Sequence, residues 1–416
     1  MTLTGPCNAP DVVDVVALGE SMVTFLPSRP GRLADVPSFE RGIGGAESNV
    51  ACGLAAAGHS VRWVSRVGAD GFGDHLVETI AAYGVDVSAV RRDPARPTGV
   101  YFRTEGDRAT KAHEVAYYRA GSAASAMSVA NMDPGMARSG RVLHLSGITA
   151  ALSEGCLELL RELTAPLAQR PLVSFDVNHR PGLWTDADGP RVLLELARGA
   201  DVVFVGEDEA EEAWGITGGP EAVRAALPEP RVLVVKQGGV GATAFVSGAG
   251  GGEPVAPTRG SRTCDSPASL RSADGPPSQA ADGAEPSRPV PQKGGTPQAP
   301  DSATHPRPAA IPGTRQSTAF VPSPHVHIAA ATGAGDAFAA GFLSATLREL
   351  PFADRLRHGH LWAAATLTAP GDLAAPPARD TADRLVALDD AGWEKLRLGP
   401  GWTQAAERAD EEVRTP

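Results

Sequence analysis

The sequence predicts an α/β protein with a mostly parallel sheet covered by helices, and three observations predict it. Short apolar runs, Val12–Leu18, Val61–Val67, Val232–Lys236 and one starting at Leu172 among them, read as buried strands. Stretches with helical spacing, such as Ala46 to Ala57 and Phe72 to Tyr83, fall between them, and this alternation is the pattern of a helix-covered parallel sheet. Polar residues also gather where strands end, which is where open α/β sheets hold ligands.

With 416 residues and 42% apolar content, the chain has room for one large domain with appendages, or for two. A net charge of -11 argues against a nucleic-acid or anionic-membrane partner. Cys7, Cys52, Cys156 and Cys264 are scattered without metal-ligand spacing, which suits a reducing compartment. The start, Met1 to Asp11, has no basic segment leading into an apolar run, and nowhere do eighteen apolar residues follow one another. A soluble cytoplasmic protein is the expectation.

The chain is organised around Thr332-Gly333-Ala334-Gly335-Asp336, followed by Phe338, Phe342, Leu343 and Leu347 at helical spacing. A glycine-rich loop opening a helix offers bare N–H groups and the positive end of the macrodipole to an anion. A carboxylate there can take a proton from a neighbouring hydroxyl. Anion cradle plus base suits phosphoryl transfer, although the same residues also make an ordinary capped helix start.

The other candidates come in chain order. Gly42-Ile43-Gly44-Gly45 brings bare backbone to the head of the helix at Ala46. Thr98 to Arg103 and Val115 to Arg119 form a β-prone hairpin; alternation puts Tyr101 with Arg103 on one face and Tyr117 with Arg119 likewise. Phenols and guanidinium groups on such a face can hold a carboxylate, or can be a lid strand with exposed aromatics. In the run from Leu172 to Trp184 a buried strand delivers Asp176, Asn178 and Arg180 at its carboxyl end, on one face while strand geometry lasts. Glu209 stands at a helix start, where a carboxylate can simply cap. Lys236 precedes the turn Gln237-Gly238-Gly239-Val240-Gly241. No Walker loop or dinucleotide fingerprint is present, so the P-loop class is excluded.

Gly333-Ala334-Gly335-Asp336 resembles the carboxy-terminal signature of the ribokinase-like (PfkB) carbohydrate kinases. Gly44-Gly45-Ala46-Glu47-Ser48-Asn49-Val50-Ala51 resembles their amino-terminal one. Tyr117-Tyr118-Arg119-Ala120-Gly121-Ser122-Ala123-Ala124 is similar to a run in the 2-keto-3-deoxygluconate kinases of that family, and Asp176-Val177-Asn178-His179-Arg180 to a stretch that fructokinases also carry. The resemblance implies a ribokinase-like three-layer α/β sandwich over about residues 12–390, with a small β lid from about 20–45 and 96–125. It implies ATP with Mg2+, Asp336 as the base, and Gly333, Ala334 and Gly335 as the anion hole. Gly45, Asn49, Tyr101, Tyr117, Arg119, Asp176, Asn178 and Arg180 would meet the substrate, while Lys236, Gly238 and Gly241 would lie at the nucleotide. Glu209 would help organise magnesium indirectly.

The activity so implied is phosphorylation of a keto-sugar acid, foremost 2-keto-3-deoxygluconate, at a primary hydroxyl. A fructokinase or other ketose kinase is the alternative within the class, and a non-catalytic sugar-acid-binding scaffold the alternative outside it. The lid implies a homodimer. Two departures stand out: Ala330-Ala331 replaces the family's Asp-Thr, which argues against potassium activation, and Gly206 replaces an Asn.

From about 248 to 324 the composition changes, with 15 of the chain's 36 prolines and few large apolar residues. Such a stretch cannot bury enough surface to offset chain entropy, so a disordered insertion is expected. His325 with His327, and His358 with His360, are not expected to bind metal. Residues 391–416 are expected to form a flexible acidic tail.

Overall fold

Burial along each strand alternates between two helical layers, and this fixes a sandwich. In a computed structural model, residues 12–29, 31–104, 114–168, 170–184, 188–248 and 315–404 can be described. In β1 (Val13–Leu18), Val15 and Ala17 enter one apolar core while Val16 and Leu18 enter a second. A strand buried on both faces must be apolar throughout, which is why these runs lack polar alternation.

The chain continues through β2 (Met22–Pro27), β3 (Phe39–Gly44), β4 (Val61–Gly68), β5 (Val90–Asp93), β6 (Val100–Arg103) and β7 (Val115–Tyr118). It then forms β8 (Gly140–Ser146), β9 (Leu172–Asp176), β10 (Val202–Gly206), β11 (Val232–Lys236), β12 (Gly241–Gly248) and β13 (Arg315–Pro322). The central sheet has the order β13-β12-β11-β10-β9-β8-β1-β4-β5, parallel from β11 to β5 and antiparallel at β12 and β13. Strand order reverses between β1 and β8, and the carboxyl ends beside such a switch are where ligands bind. A separate sheet, β3-β2-β6-β7, is built from the two segments in which the sequence predicts a small β lid.

On one face the helices Ala46–Ala56, Ala334–Leu347 and Phe352–Leu367 pack on the sheet; on the other lie Glu154–Thr164 and Gly189–Arg198. Phe204 of β10 meets Phe338 and Phe342 edge to face, at centroid distances of 6.5 and 5.4 Å. These rings anchor the helix that follows Gly333 against the middle of the sheet.

Two boundaries need correction. Arg315–Pro322, expected inside the unstructured insertion, is β13, and it pairs with β12 from Gly241↔Pro322 to Gly248↔Arg315. Val321 faces the core, so the strand has the apolar side that composition averaged over the whole segment concealed. The expected tail begins too early as well: Trp393 and Leu398 are buried, and β15 (Arg397–Leu398) pairs with β14 (His325–Val326). The rest of the expected insertion, 249–314, and residues 405–416 lie outside the described residues. No helix among the described residues is long and apolar enough to cross a membrane.

Candidate active site

Gly333 caps the helix Ala334–Leu347 in the left-handed region, at φ 79°. A Cβ there would collide with the Asp372 carbonyl, so glycine is required both for the turn and for the close approach. Asp336 lies in the first turn of this helix, beside the N–H groups that a helix start leaves without partners of its own.

Asp336 is half-buried, and Asn49 Nδ2 donates to its Oδ2 at 2.9 Å. The two glycine motifs, 287 residues apart, therefore converge on one carboxylate. Desolvation, reinforced by Asp176, pushes the Asp336 pKa up to about 7 against the opposing effects of Asn49, Lys236 and Arg180. A base with a pKa near neutrality is well matched to taking a hydroxyl proton.

Asp176 ends β9 and is buried; Lys236 ends β11, and its Nζ lies 3.1 and 3.2 Å from the two Asp176 oxygens. The same ammonium stands 3.5 Å from where a Cβ on Gly335 would sit, directly beneath the anion loop. Its pKa is raised: desolvation opposes the charge, but Asp176, Glu209 and Asp336 outweigh it. Lys236 thus lies with the loop and Asp176, whereas Gly238 and Gly241 form the β11–β12 hairpin turn, with Gln237 N donating to Gly241 O at 2.8 Å.

Other expected residues separate. Asn178 turns the chain at φ 43°, so strand geometry ends at Asp176 and the expected common face does not extend to Arg180. Arg180 is 52% exposed and contacts His179 O at 2.8 Å and Glu209 Oε1 at 3.6 Å. Glu209 is a helix cap: its Oε2 accepts from Gly206 N at 2.8 Å.

In the lid, Tyr101 and Arg103 share a buried face as alternation predicts, while Tyr117 is 52% exposed with its ring 5.5 Å from that of Tyr101. The Arg119 guanidinium is buried in an ion pair with Glu20, whose other oxygen accepts from Ser122 Oγ at 2.6 Å. Gly45 caps the helix Ala46–Ala56 and packs so closely on the Glu20–Ser21 turn that a Cβ has no room.

Three carboxylates at the site escaped the sequence reading. Glu20 pairs with Arg119. Glu47 is almost wholly buried, accepts from Thr149 Oγ1 at 2.6 Å and is pushed up to about 8, chiefly by desolvation. Asp372 binds Tyr101 and Arg103. Only Glu47 carried a signal, as the single acid inside the first glycine motif; the other two resemble ordinary loop acids until the chain folds.

A near-neutral carboxylate beside a helix N-terminus and an ammonium, on the open edge of a parallel sheet with its own lid, defines the class of small-molecule group-transfer enzymes. The model for pfkB family carbohydrate kinases matches residues 13–262 and 306–379, and the chain belongs to that family. It is 34% identical over 240 residues to 2-dehydro-3-deoxygluconokinase of Thermoproteus tenax, an alignment covering 57% of this chain and 73% of the relative. It is 32% identical over 203 residues to probable fructokinase-6, chloroplastic, of Arabidopsis thaliana, covering 47% of this chain and 51% of the other. Among solved structures, a PfkB protein from Polaromonas sp. JS666 superposes with a TM-score of 0.61 at 29% identity, over 87% of this chain and 98% of that one.

Proposed function

We propose that the protein transfers the terminal phosphoryl group of ATP to a primary hydroxyl of a keto-sugar acid, foremost 2-keto-3-deoxygluconate, giving the 6-phosphate. The observation that carries this reading is the Asn49–Asp336 bond at the head of the Gly333 helix, because it sets a near-neutral base beside a cradle for an anion.

Asp336 takes the hydroxyl proton as the oxygen attacks phosphorus. The N–H groups from Gly333 to Asp336, with Lys236, face the charge that spreads over the phosphoryl oxygens in a loose transition state. ATP lies along the sheet edge toward the β11–β12 turn, and the sugar lies between the lid and Asn49. Magnesium supplies charge neutralisation when it enters with the nucleotide phosphates. Glu209, expected to act on that ion indirectly, accepts from Gly206 N and faces Arg180.

The acid preference rests on Arg180 and Tyr117, which remain exposed to a ligand, and on the family resemblance of the lid run. The buried Arg119–Glu20 pair favours a second reading, a kinase of neutral ketoses such as fructose, because that guanidinium is already neutralised. Following ADP release with 2-keto-3-deoxygluconate and with fructose separates them. A kcat/KM at least about 10²-fold higher for the acid supports the first reading, as expected when a site built to hold a charged group meets a substrate lacking it. A preference for fructose replaces it with the second, and turnover with neither sugar nor related acids removes both.

A further inference from the structure

We propose that Asp372 is a positioning residue that ties the lid to the anion loop, so that the segment setting Tyr101 over the sugar site also sets the turn at Gly333. It follows Pro370-Gly371, in the loop after the helix Phe352–Leu367, and is buried. Its side chain faces the lid: Tyr101 Oη donates to Oδ2, and Arg103 Nη2 lies 2.6 Å from Oδ1. Tyr101 and Arg103 are both buried on the same face of β6, so one carboxylate satisfies two adjacent inward positions of a single strand.

The main chain of Asp372 faces the opposite way. Its carbonyl occupies the space a Cβ on Gly333 would need. The lid contact also reaches the first glycine motif, since a Cβ on Gly44 would meet Tyr101 Oη and Asp372 Oδ2. Asp372 therefore touches the lid strand, the turn that leads to Asn49, and the loop that leads to Asp336.

Its chemistry suits that place. Burial drives the Tyr101 phenol up, reinforced by the charge and hydrogen bond of Asp372, so the hydroxyl keeps its proton and stays a donor. Removing one member of a buried, charge-assisted cluster leaves its partners desolvated and unpaired, so the geometry is held firmly while the cluster is whole. A displacement of the lid is passed to Gly333 through the backbone of residue 372, and an error of about 1 Å at reacting atoms can lower turnover on the order of 10²-fold.

The test compares Asp372→Ala, Asp372→Asn and Tyr101→Phe by amide hydrogen exchange and by kinetics. Asp372→Ala is expected to speed exchange both in residues 100–103 and in residues 337–340, the amides bonded to the carbonyls of the Gly333 turn, and to lower kcat on the order of 10²-fold. Tyr101→Phe, which breaks one lid contact and leaves Arg103 on Asp372, is expected to speed exchange in 100–103 with a smaller change at 337–340 than Asp372→Ala, and to raise the sugar KM. Should the alanine variant fail to fold, Asp372→Asn, which still accepts from Tyr101 but loses the charge facing Arg103, is expected to show the same two segments loosened to a smaller degree. Unchanged exchange at 337–340 in whichever Asp372 variant folds overturns the coupling. The kinetic arm rests on the kinase reading, but the exchange arm does not, so an inactive wild-type protein would sink that reading and leave this inference to be decided by exchange.

Discussion

At Asp336 the surroundings work against ionisation, and the balance is set by a few neighbours. Desolvation raises its pKa, and the Asn49 amide is the foremost opposing contact. The base form is needed for catalysis, so kcat/KM should fall as pH drops below about 7. Asn49→Leu removes the donor that favours the carboxylate and should move this limb to higher pH; a limb that stays put or moves down in a pH profile contradicts the assignment. Lys236 poses a different question, since it could act on the phosphoryl group or merely neutralise Asp176. If it acts on the phosphoryl group, Lys236→Met lowers kcat by a similar factor, on the order of 10²-fold or more, in the wild type and in an Asp176→Asn background. If it serves only Asp176, the second background abolishes the effect. Asp336, Gly333 and Asn49 were legible in the sequence because glycine, amide and acid stood in compact motifs. The lid arginines were legible as residues but not in their pairing, because Glu20 and Asp372 lie 99 and 269 positions from their partners Arg119 and Arg103 and neither forms a local pattern.

At the scale of elements, the site is made by how strands end and helices begin. The β9 strand stops at Asp176, and Asn178 follows in the left-handed region, so Arg180 no longer continues the strand face; a period-two reading cannot anticipate where extended geometry gives way. The strands and helices of the core were visible because both sheet faces are covered, which leaves unbroken apolar runs. β13 was not, since a two-faced edge strand such as Arg315–Pro322 carries few apolar residues and lay next to a long biased segment. The Gly333 turn offers a sharp test. Gly333→Ala places a Cβ in a left-handed residue and against the Asp372 carbonyl, so it should destabilise the protein by about 1–2 kcal/mol from backbone strain alone. It should also lower kcat, which denaturant unfolding and steady-state kinetics would read together. An alanine variant as stable and active as the wild type would show that the turn is not needed.

For the whole molecule, the reversal of strand order between β1 and β8 explains why Glu20 just past β1, Asp176 of β9 and Lys236 of β11 gather near two distant helix starts at one edge. The register of β12 and β13 brings Gly248 opposite Arg315, so the chain can be closed there by a short turn. Replacing residues 249–314 with such a turn should keep kcat/KM within about threefold, because β12 and β13 are already paired as far as Gly248 and Arg315 and loop length changes closure entropy only slowly. A large loss would assign that segment a direct part in the reaction. The site also has a stability consequence. Asp336 binds its proton more tightly when folded, at about 7 against about 4 for an ordinary Asp, so its contribution to stability is lost as pH rises from about 4 to about 7. Asp336→Asn should therefore raise the melting temperature at pH 8 while removing the base. An unchanged or lower melting temperature at that pH would contradict the strained carboxylate.

The most direct measurement is the turnover of Asp336→Asn beside its binding of ATP and of the preferred sugar. The account predicts a loss in kcat of about 10²- to 10⁴-fold, with both dissociation constants close to those of the wild type. Turnover preserved in the variant, or lost only in step with binding, would contradict it.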